Sequence, residues 1–425
     1  MADLIVYPGL KGGEVWAPPS KSYSHRALAI SLLSSDDSEI HNVSMCNDVK
    51  ATLRAVKMLG AKYEIKGHDV RVKPPSDLKA PKDVLNVGMS GTTLRFMTAI
   101  ATLVKRGYTV ITGRGSTLRR PMQPLLKALR DMGGWAISSK LDGYPPIIVK
   151  GEGIEGGRAV VDCSLSSQFL SSLLLISPLS KEGSELVVSG RLVSKPYIDM
   201  TITVMELAGA SVEVEQDTYC VNRGEYRGLR FRVPGDYGLC GFLMAAAAIT
   251  GRELVIKGLN PLLPQADKEV VNVLKLLGVE IKEQGDRVIV KGGELKGASL
   301  ELINCPDLLP VVACLAPFAR GWTEIRGIYH ARLKESDRLA CLASELSKLG
   351  VQVKLLRDGL RIKGGTVKGG ILDPRGDHRL FMAFSVIGLG SRKWVRIGQV
   401  GVESDSYPGF INDLRRLGAS LEVVV

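Results

Sequence analysis

The chain has 425 residues, with 56 Lys and Arg against 44 Asp and Glu, a formal net charge of +12. This length exceeds what one hydrophobic core usually organises, so it predicts at least two domains. The basic balance favours anionic partners. Because the basic residues occur singly beside glycine and serine, without a lysine-rich tail or interleaved aromatic residues, small phosphorylated ligands fit better than nucleic acid.

The cysteines and the apolar segments bear on the compartment. Seven cysteines show neither metal-site spacing nor a disulfide framework, which predicts a reducing environment. The N-terminal residues do not resemble a signal peptide, and the longest apolar runs, near 239–249 and 308–319, are too short to span a bilayer. We therefore expect a cytoplasmic protein without a membrane segment, a metal or a cofactor.

The first stretch that suggests chemistry is residues 18–26. Pro18 and Pro19 hold the backbone extended, and an apolar helix follows, with Ser20 or Ser22 as its cap. A helix N-terminus attracts anions, and Lys21 lies at this one. An ordinary capped helix with solvated basic residues would look the same, so this stretch alone does not decide its function.

A repeat organises the rest of the chain. Six times an amphipathic stretch ends in glycine and continues into a short alternating strand, at intervals of roughly 70 residues. Glycine just past a helix is a usual stop signal. The six glycines are Gly60, Gly133, Gly209, Gly278, Gly350 and Gly418.

Each repeat also contains a more apolar helix that follows a short strand. These helices are predicted to begin near Ser22, Ser90, Ser166, Gly235, Cys305 and Gly376. Each repeat therefore reads strand, helix, strand, helix, strand, strand, which is an α/β fold. The sixth repeat lacks its last strand, and residues 3–7 form a strand without a repeat of their own. We predict that the N-terminus completes the sixth repeat.

This arrangement predicts two domains of three repeats each. The first spans 14–224, and the second is discontinuous and consists of 1–13 plus 225–425. A cleft between two such domains is a natural ligand site.

The unusual polar residues concentrate at one end of the repeats. They lie at the start of the apolar helix or in the loop before the second helix, so several helix N-termini would converge on one anion site. The stretches are 21–26, 90–95, 119–121, 166–168, 194–197, 306–307, 332–338 and 377–379. Each alone could be a cap or a solvated surface; their shared placement favours a site.

Asp307 is the most informative single residue. It is a carboxylate at the head of an apolar helix, in a region otherwise rich in cations, and such a group can act as a general base. It could equally be a carboxylate that stabilises the helix dipole. His378, between Asp377 and Arg379, fits a proton-shuttling role or a structural role.

Seven motifs, in order along the chain, resemble the 5-enolpyruvylshikimate-3-phosphate synthases, the 3-phosphoshikimate 1-carboxyvinyltransferase family. The resemblance covers essentially the whole chain. The motifs are Ser20-Lys21-Ser22-x-Ser24-x-Arg26, Ser90-Gly91-Thr92-Thr93-Leu94-Arg95, Arg120-Pro121-Met122, Ser166-Ser167-Gln168-Phe169-Leu170, Ser194-Lys195-Pro196-Tyr197-Ile198-Asp199, Lys334-Glu335-Ser336-Asp337-Arg338 and Asp377-His378-Arg379.

The resemblance implies both a fold and a reaction. The fold is two similar domains, each of three βαβαββ repeats in an inside-out α/β barrel, which close on the substrates. The reaction transfers the enolpyruvyl group of phosphoenolpyruvate to the 5-hydroxyl of shikimate 3-phosphate on the route to chorismate. It proceeds through a tetrahedral intermediate, and inorganic phosphate leaves. The partners are these two small molecules, without nucleic acid or membrane, and we expect a monomer.

The resemblance also implies residue roles. Asp307 would accept the hydroxyl proton, and Lys21 with Glu335 would manage the proton at C3. Shikimate 3-phosphate would be bound by Lys21, Ser22, Arg26, Ser166, Ser167, Gln168, Ser194, Tyr197, Asp307, His330 and Lys334. Phosphoenolpyruvate would be bound by Lys21, Gly91, Arg120, Gln168, Arg338 and Arg379.

Three positions depart from the family pattern. Met89 stands where the family often has Asn, and His330 also replaces a common Asn. Asp405 stands where a Lys often precedes an aromatic-proline pair, so a cation for phosphoenolpyruvate is missing there. These departures concern substrate affinity more than reaction type.

Two other functions remain open at this point. The sister enzyme that transfers enolpyruvate to a UDP-amino sugar, UDP-N-acetylglucosamine enolpyruvyl transferase, uses a loop cysteine five residues before an Arg-Pro pair, and here that position is Gly115. An RNA-end-processing protein on a related repeat fold is allowed by the basic charge. The motifs at 194–197 and 334–338 argue against it.

Overall fold

A computed structural model describes residues 2–425, which form two compact units. The first unit contains the residues up to Pro18 together with Pro234–Val425, and the second contains Pro19–Val233. Each unit has an α/β architecture.

The helices alternate between apolar and amphipathic members. Across residues 2–425 the twelve α-helices are α1 (Lys21–Leu33), α2 (Asn47–Met58), α3 (Gly91–Ile100), α4 (Gln123–Asp131), α5 (Gln168–Ile176), α6 (Pro196–Leu207), α7 (Tyr237–Thr250), α8 (Val270–Leu276), α9 (Leu309–Leu315), α10 (Arg338–Lys348), α11 (His378–Gly390) and α12 (Phe410–Arg416).

The strands are short, between two and six residues long. In chain order they are β1 (Asp3–Val6), β2 (Gly13–Trp16), β3 (Ser38–His41), β4 (Lys62–Lys66), β5 (Asp69–Lys73), β6 (Leu85–Asn86), β7 (Gly107–Thr112), β8 (Trp135–Ser138), β9 (Ile147–Gly151), β10 (Gly157–Asp162), β11 (Ser184–Ser189), β12 (Val212–Glu215), β13 (Thr218–Val221), β14 (Arg230–Arg232), β15 (Leu254–Lys257), β16 (Glu280–Gln284), β17 (Arg287–Lys291), β18 (Ser299–Glu301), β19 (Trp322–Arg326), β20 (Gln352–Leu355), β21 (Leu360–Lys363), β22 (Gly370–Leu372), β23 (Val395–Ile397) and β24 (Leu421–Val424).

The six-fold repeat predicted from the sequence is present in the sheets. The described strands form six four-stranded sheets, and none of these closes into a barrel. In the sheet β6-β7-β9-β8, β6 runs parallel to β7, and β7 and β8 each pair antiparallel with β9. Helix α3 connects β6 to β7, and α4 connects β7 to β8, as the predicted order requires.

Two strands beside the unit boundaries each pair in the unit on the other side of the predicted boundary. Strand β2, just before α1, pairs in parallel with β15 of the first unit. Strand β14, just before α7, pairs in parallel with β3 of the second unit. Each of these strands therefore completes a sheet of the unit that the chain is leaving. For this reason the units divide at 18/19 and 233/234, later than the predicted 13/14 and 224/225.

The N-terminal strand completes the sixth sheet, as the sequence predicts. β1 lies between β23 and β24 and pairs antiparallel with both. Leu4 and Val6 of β1 are fully buried, so the alternating pattern of this strand directs its apolar side chains into the core of the first unit.

The six repeat glycines all follow an amphipathic helix and have positive φ. Gly60, two residues after the end of α2, has φ 114°, and the other five lie between 80° and 94°. A side chain is strained in this region, so glycine ends each helix and turns the chain into the next strand. The apolar helices form the cores: residues 237–248 of α7 are all buried. No helix in residues 2–425 is long and apolar enough to cross a membrane.

Candidate functional site

In the second unit, α1 presents its N-terminus and Lys21 together. The Ser20 hydroxyl accepts a hydrogen bond from the backbone N–H of Tyr23, which makes Ser20 the cap of the helix. The Lys21 ammonium lies 2.9 Å from a carboxylate oxygen of Asp48, in the first turn of α2. Lys21 is therefore held as a cation at the start of two helices.

Arg26 connects α1 to α6 through neutral partners. Its guanidinium donates to Thr201 Oγ1 at 2.8 Å, to the Tyr197 carbonyl at 2.8 Å and to the Ser22 carbonyl at 2.9 Å. Burial lowers the pKa of Arg26 to about 10, so the side chain stays charged at neutral pH. Since none of these partners is anionic, the positive charge of Arg26 is not compensated by them.

Gly91 and Arg120 are neighbours. Gly91 is the first residue of α3, and the capping Ser90 hydroxyl accepts from the Thr93 N–H at 3.2 Å. A Cβ atom at Gly91 would lie only 2.7 Å from Nη1 of Arg120. The glycine therefore lets a buried guanidinium approach the helix N-terminus, and this pair suits an anion such as a phosphate.

The side chain of Gln168, the first residue of α5, is held by two residues of α3. Its amide oxygen accepts from Arg95 at 2.7 Å, and its amide nitrogen donates to Thr92 Oγ1 at 3.1 Å. Its backbone N–H donates to Ser166 Oγ at 3.2 Å, and Ser167, the cap residue of α5, is buried. Three of the predicted shikimate 3-phosphate contacts thus lie together at the start of α5.

Ser194 has a strained backbone. It has φ 57° although it is not glycine, and its carbonyl accepts from the Tyr197 N–H at 3.1 Å. A left-handed conformation at a β-carbon-bearing residue is sparsely populated and often marks a ligand site. The sequence pattern selects Ser194 and Tyr197 as ligand contacts, and the structure places both at the start of α6.

The first unit contains a compact ionic cluster around Arg338. This fully buried guanidinium lies 2.8 Å from Asp307, 2.6 Å from Glu335 and 2.8 Å from Asp377. Burial by itself lowers the pKa of Arg338, but the three carboxylates outweigh burial and the net shift is upward. Arg338 thus holds three carboxylates that come from three helix starts.

Asp307 is surrounded by cations, as the sequence suggests. Besides Arg338, the Lys334 ammonium lies 3.5 Å from one of its oxygens and the Arg379 guanidinium 3.1 Å from the other. Arg379 also donates to the Asp307 carbonyl at 3.2 Å. Asp307 lies in a 3₁₀ turn, Pro306–Leu308, just before α9. Three cations keep this carboxylate ionised.

His330 is a neutral residue beside this cluster. Burial, assisted by the positive charge of Lys334, lowers the pKa of His330 to about 4, although the Asp307 carboxylate opposes the shift. The ring therefore carries no charge at neutral pH. Its Nε2 is buried without a hydrogen-bond partner among the described residues, which marks it as a group that a ligand could satisfy.

Two of the departures from the family pattern, Met89 and Asp405, have distinct surroundings. The Met89 sulfur would lie 2.8 Å from a Cβ atom at Gly115, so Met89 packs on the loop that carries Arg120. Asp405 ends a 3₁₀ turn that also contains the buried Glu403. Burial, and to a smaller extent Asp405, raises the pKa of Glu403. This turn is therefore rich in acid.

Two functional partners were missed by the sequence analysis. Asp48 was not singled out, although it lies in the first turn of the second helix of its repeat, the same position that carries conspicuous residues in other repeats. Thr201, whose hydroxyl accepts a hydrogen bond from Arg26, has no sequence signal beyond its position one helical turn after Tyr197. Among the described residues, no cluster of His, Cys, Asp and Glu has the geometry of a metal site.

Comparisons with known proteins identify the family. The family model of EPSP synthase (3-phosphoshikimate 1-carboxyvinyltransferase) matches residues 9–414. A 3-phosphoshikimate 1-carboxyvinyltransferase of Korarchaeum cryptofilum is 46% identical over 98% of both chains, and one of Methanothermobacter thermautotrophicus is 42% identical over 97% of both. The solved EPSP synthase of Acinetobacter baumannii superposes with a TM-score of 0.85 over all of both chains, at 26% identity.

These matches confirm the resemblance, the fold class and the enzyme class predicted from the sequence. They favour neither the UDP-amino-sugar enzyme nor an RNA-end-processing protein. The chain belongs to the EPSP synthase family, the 3-phosphoshikimate 1-carboxyvinyltransferases.

Proposed function

We propose that the chain transfers the enolpyruvyl group of phosphoenolpyruvate to the 5-hydroxyl of shikimate 3-phosphate. The observation that carries the assignment of roles is Asp307, an ionised carboxylate in contact with Lys334, Arg338 and Arg379. A base and several anion-binding groups are what this reaction needs in one place.

The second unit would bind shikimate 3-phosphate and part of phosphoenolpyruvate. Hydroxyl and amide groups at the starts of α5 and α6, together with the uncompensated charge of Arg26, suit a phosphorylated hydroxy acid. The Gly91–Arg120 pair suits the phosphate of phosphoenolpyruvate. Lys21, paired with Asp48 at 2.9 Å, is an ammonium that can donate a proton.

The first unit would provide the base and hold the carboxylate end of phosphoenolpyruvate. Asp307 contacts Arg338 through one carboxylate oxygen and Arg379 through the other. An incoming anion would compete for these guanidinium groups, and a carboxylate that loses cationic partners becomes more basic. Substrate binding would thereby prepare Asp307 to accept the hydroxyl proton.

The reaction then balances in two steps. The 5-oxygen bonds to C2 of phosphoenolpyruvate, Asp307 receives its proton, and C3 gains a proton from Lys21. In the second step Glu335 or the now neutral Lys21 takes a proton from C3, the bond from C2 to the phosphate oxygen breaks, and inorganic phosphate leaves. Arg120, Arg338 and Arg379 would stabilise the charge that develops on the phosphate and carboxylate.

The assembly state and the compartment belong to the same proposal. Every group with a proposed role comes from one chain, so a monomer suffices. All seven cysteines are free thiols, and six of them are buried, which suits a reducing cytoplasm. Light scattering coupled to gel filtration would measure the mass in solution; a stable dimer would overturn the monomer.

The direct test is inorganic phosphate release by the purified protein. We expect release only when shikimate 3-phosphate and phosphoenolpyruvate are both present, with the enolpyruvyl ether detected by mass spectrometry. Each substrate alone is the control. A folded protein that releases no phosphate with both substrates would overturn the proposed function.

A further inference from the structure

A chain of buried hydrogen bonds runs beneath the second-unit site and has no role in the proposed chemistry. His25 Nδ1 lies 2.7 Å from Thr52 Oγ1, Thr52 Oγ1 lies 2.7 Å from Thr93 Oγ1, and Thr93 Oγ1 lies 2.7 Å from Ser90 Oγ. All four side chains are at most 1% exposed. The chain therefore connects α1, α2 and the cap of α3 without solvent.

The hydrogen bond between His25 and Thr52 joins α1 to α2 one helical turn below the Lys21–Asp48 ion pair. His25 follows Lys21 by four residues on α1, and Thr52 follows Asp48 by four residues on α2, so both pairs join the same two helix faces. Thr93 adds α3, since its hydroxyl also lies 3.4 Å from the Asp48 carbonyl. These buried hydrogen bonds thus fix the starts of α1, α2 and α3 relative to one another.

The hydrogen-bond chain can form with either tautomer of the His25 imidazole. Three links need three protons, and the hydroxyls of Ser90, Thr93 and Thr52 carry one each. Burial, with the nearby positive charges of Lys21 and Arg26, lowers the pKa of His25 well below its usual value, so the ring is neutral at physiological pH. Short bonds among buried groups of this kind restrict helix position strongly.

We infer that His25, Thr52 and Thr93 are positioning residues that hold Ser90 and the N-terminus of α3, and with it Gly91, where phosphoenolpyruvate binds. This inference rests on the proposed function, because Gly91 and Lys21 are the phosphoenolpyruvate contacts that the chain would align. Breaking a link would release the start of α3 with Gly91, whereas Arg26, a shikimate 3-phosphate contact on α1, remains bonded to Thr201 and Tyr197 of α6. Phosphoenolpyruvate binding should therefore weaken more than shikimate 3-phosphate binding.

The test uses valine in place of threonine, which keeps shape and removes the hydroxyl. Thr93→Val and Thr52→Val break the chain. Thr98→Val is the matched control, because Thr98 is a fully buried threonine on the same α3 helix whose hydroxyl bonds only within the helix, to the Leu94 carbonyl at 2.8 Å. His25→Phe removes the imidazole end, and His25→Asn keeps a polar group near the position of Nδ1.

We expect Thr52→Val, Thr93→Val and His25→Phe to raise the KM for phosphoenolpyruvate about 5-fold or more, with the KM for shikimate 3-phosphate changed less than about 2-fold. His25→Asn should restore most of the loss, and Thr98→Val should leave both constants unchanged. The double variant His25→Phe/Thr52→Val should raise the KM for phosphoenolpyruvate no further than the more impaired of the two single variants, because one break already opens the hydrogen-bond chain.

The outcomes separate the inference from the proposed function. If the wild-type protein turns over and the folded Thr93→Val and Thr52→Val proteins match Thr98→Val, the inference alone is overturned. The same holds if both KM values rise together, which indicates a general loss of packing. A wild-type protein without turnover overturns the inference along with the function on which it rests. Thermal unfolding of each variant identifies any protein that has not folded.

Discussion

Arg26 of the second unit and Arg338 of the first are the most deeply buried arginines of residues 2–425, and the two have opposite surroundings. Arg26 is 2% exposed and donates to a hydroxyl and two carbonyls, whereas Arg338 is 1% exposed and contacts three carboxylates. The pKa of Arg26 falls to about 10 because of burial, while the pKa of Arg338 rises because its carboxylates outweigh burial. An arginine with neutral partners can attract an anion directly. An arginine among carboxylates must exchange a partner first.

This difference suggests a division of labour. In the first-unit cluster, Lys334, Arg338 and Arg379 face four carboxylates, those of Asp267, Asp307, Glu335 and Asp377. An anionic substrate can bind there only in competition with the carboxylates, which couples binding to the release of the base. In the second unit Arg26, whose partners are neutral, would bind a ligand without such an exchange, whereas Lys21 is paired with Asp48.

The largest expected effect comes from removing the two arginines. Arg338→Met leaves three carboxylates together without their cation and should lower the free energy of unfolding by about 4 kcal/mol, with turnover abolished. Arg26→Met leaves only neutral acceptors without a donor and should cost about 2 kcal/mol. Urea unfolding of both variants measures this difference. Equal losses would show that the charge environments do not matter.

Asp307→Asn tests whether Asp307 and an anionic substrate compete for Arg338 and Arg379. Loss of the base should reduce kcat by about 10²- to 10⁴-fold. Because the amide competes less well for Arg338 and Arg379, phosphoenolpyruvate should bind at least as tightly as to the wild type. Pre-steady-state turnover and calorimetric titration measure the two effects. Asp358→Asn, at a half-exposed ion pair of the same unit, is the control. An unchanged kcat would remove Asp307 from its proposed role.

His330 predicts how stability depends on pH. Its pKa is about 4 in the folded chain and about 6.5 when unfolded, so below pH 6.5 the unfolded state takes up a proton that the folded state refuses. Stability should fall as the pH drops from 6.5 to 4, by about 3 kcal/mol from this residue. His330→Asn should remove that part of the slope in urea unfolding. If the free energy of unfolding of His330→Asn depended on pH as steeply as that of the wild type, the prediction would be contradicted.

The sequence predicts the repeat well because its signals are local. Glycines such as Gly60 end helices through their own backbone preference, and the alternation in residues 3–7 identifies a strand in need of partners. The unit that β2 and β14 each join could not be predicted, because a short strand beside a unit boundary carries no local sign of which sheet it joins. Pairing across more than two hundred residues is set by packing.

The same distinction applies to the site. Motifs select Lys21, Asp307 and Arg338, because clustered charges beside glycine and serine are visible in the sequence. Their partners are harder to find: Asp48 and Thr201 are ordinary helix residues until the fold brings Lys21 and Arg26 to them. The three-way contact of Arg338 with carboxylates from separate segments depends on tertiary structure alone.

Gly91→Ala tests the second unit with a smaller change. The added methyl group would lie 2.7 Å from Nη1 of Arg120, so the guanidinium must move away from the start of α3. We expect the KM for phosphoenolpyruvate to rise about 10-fold, the equivalent of one weakened ionic hydrogen bond. Gly224→Ala is the control, since no atom lies within 4 Å of its added carbon. An unchanged KM would mean that Arg120 does not bind this substrate from its present position.

The smallest effect is expected at Asp405, where the family often has a lysine. Asp405→Lys replaces an acid in a turn that also contains Glu403, and a cation there should lower the KM for phosphoenolpyruvate about 2- to 5-fold at low salt. The effect should fade as ionic strength rises, because a surface charge acts through screened attraction. Asp286→Lys makes the same charge change at an exposed turn of the same unit and should leave the KM unchanged. If both variants lowered it equally, the net charge of the protein would explain the gain, and the turn at 402–405 would have no part in binding the substrate.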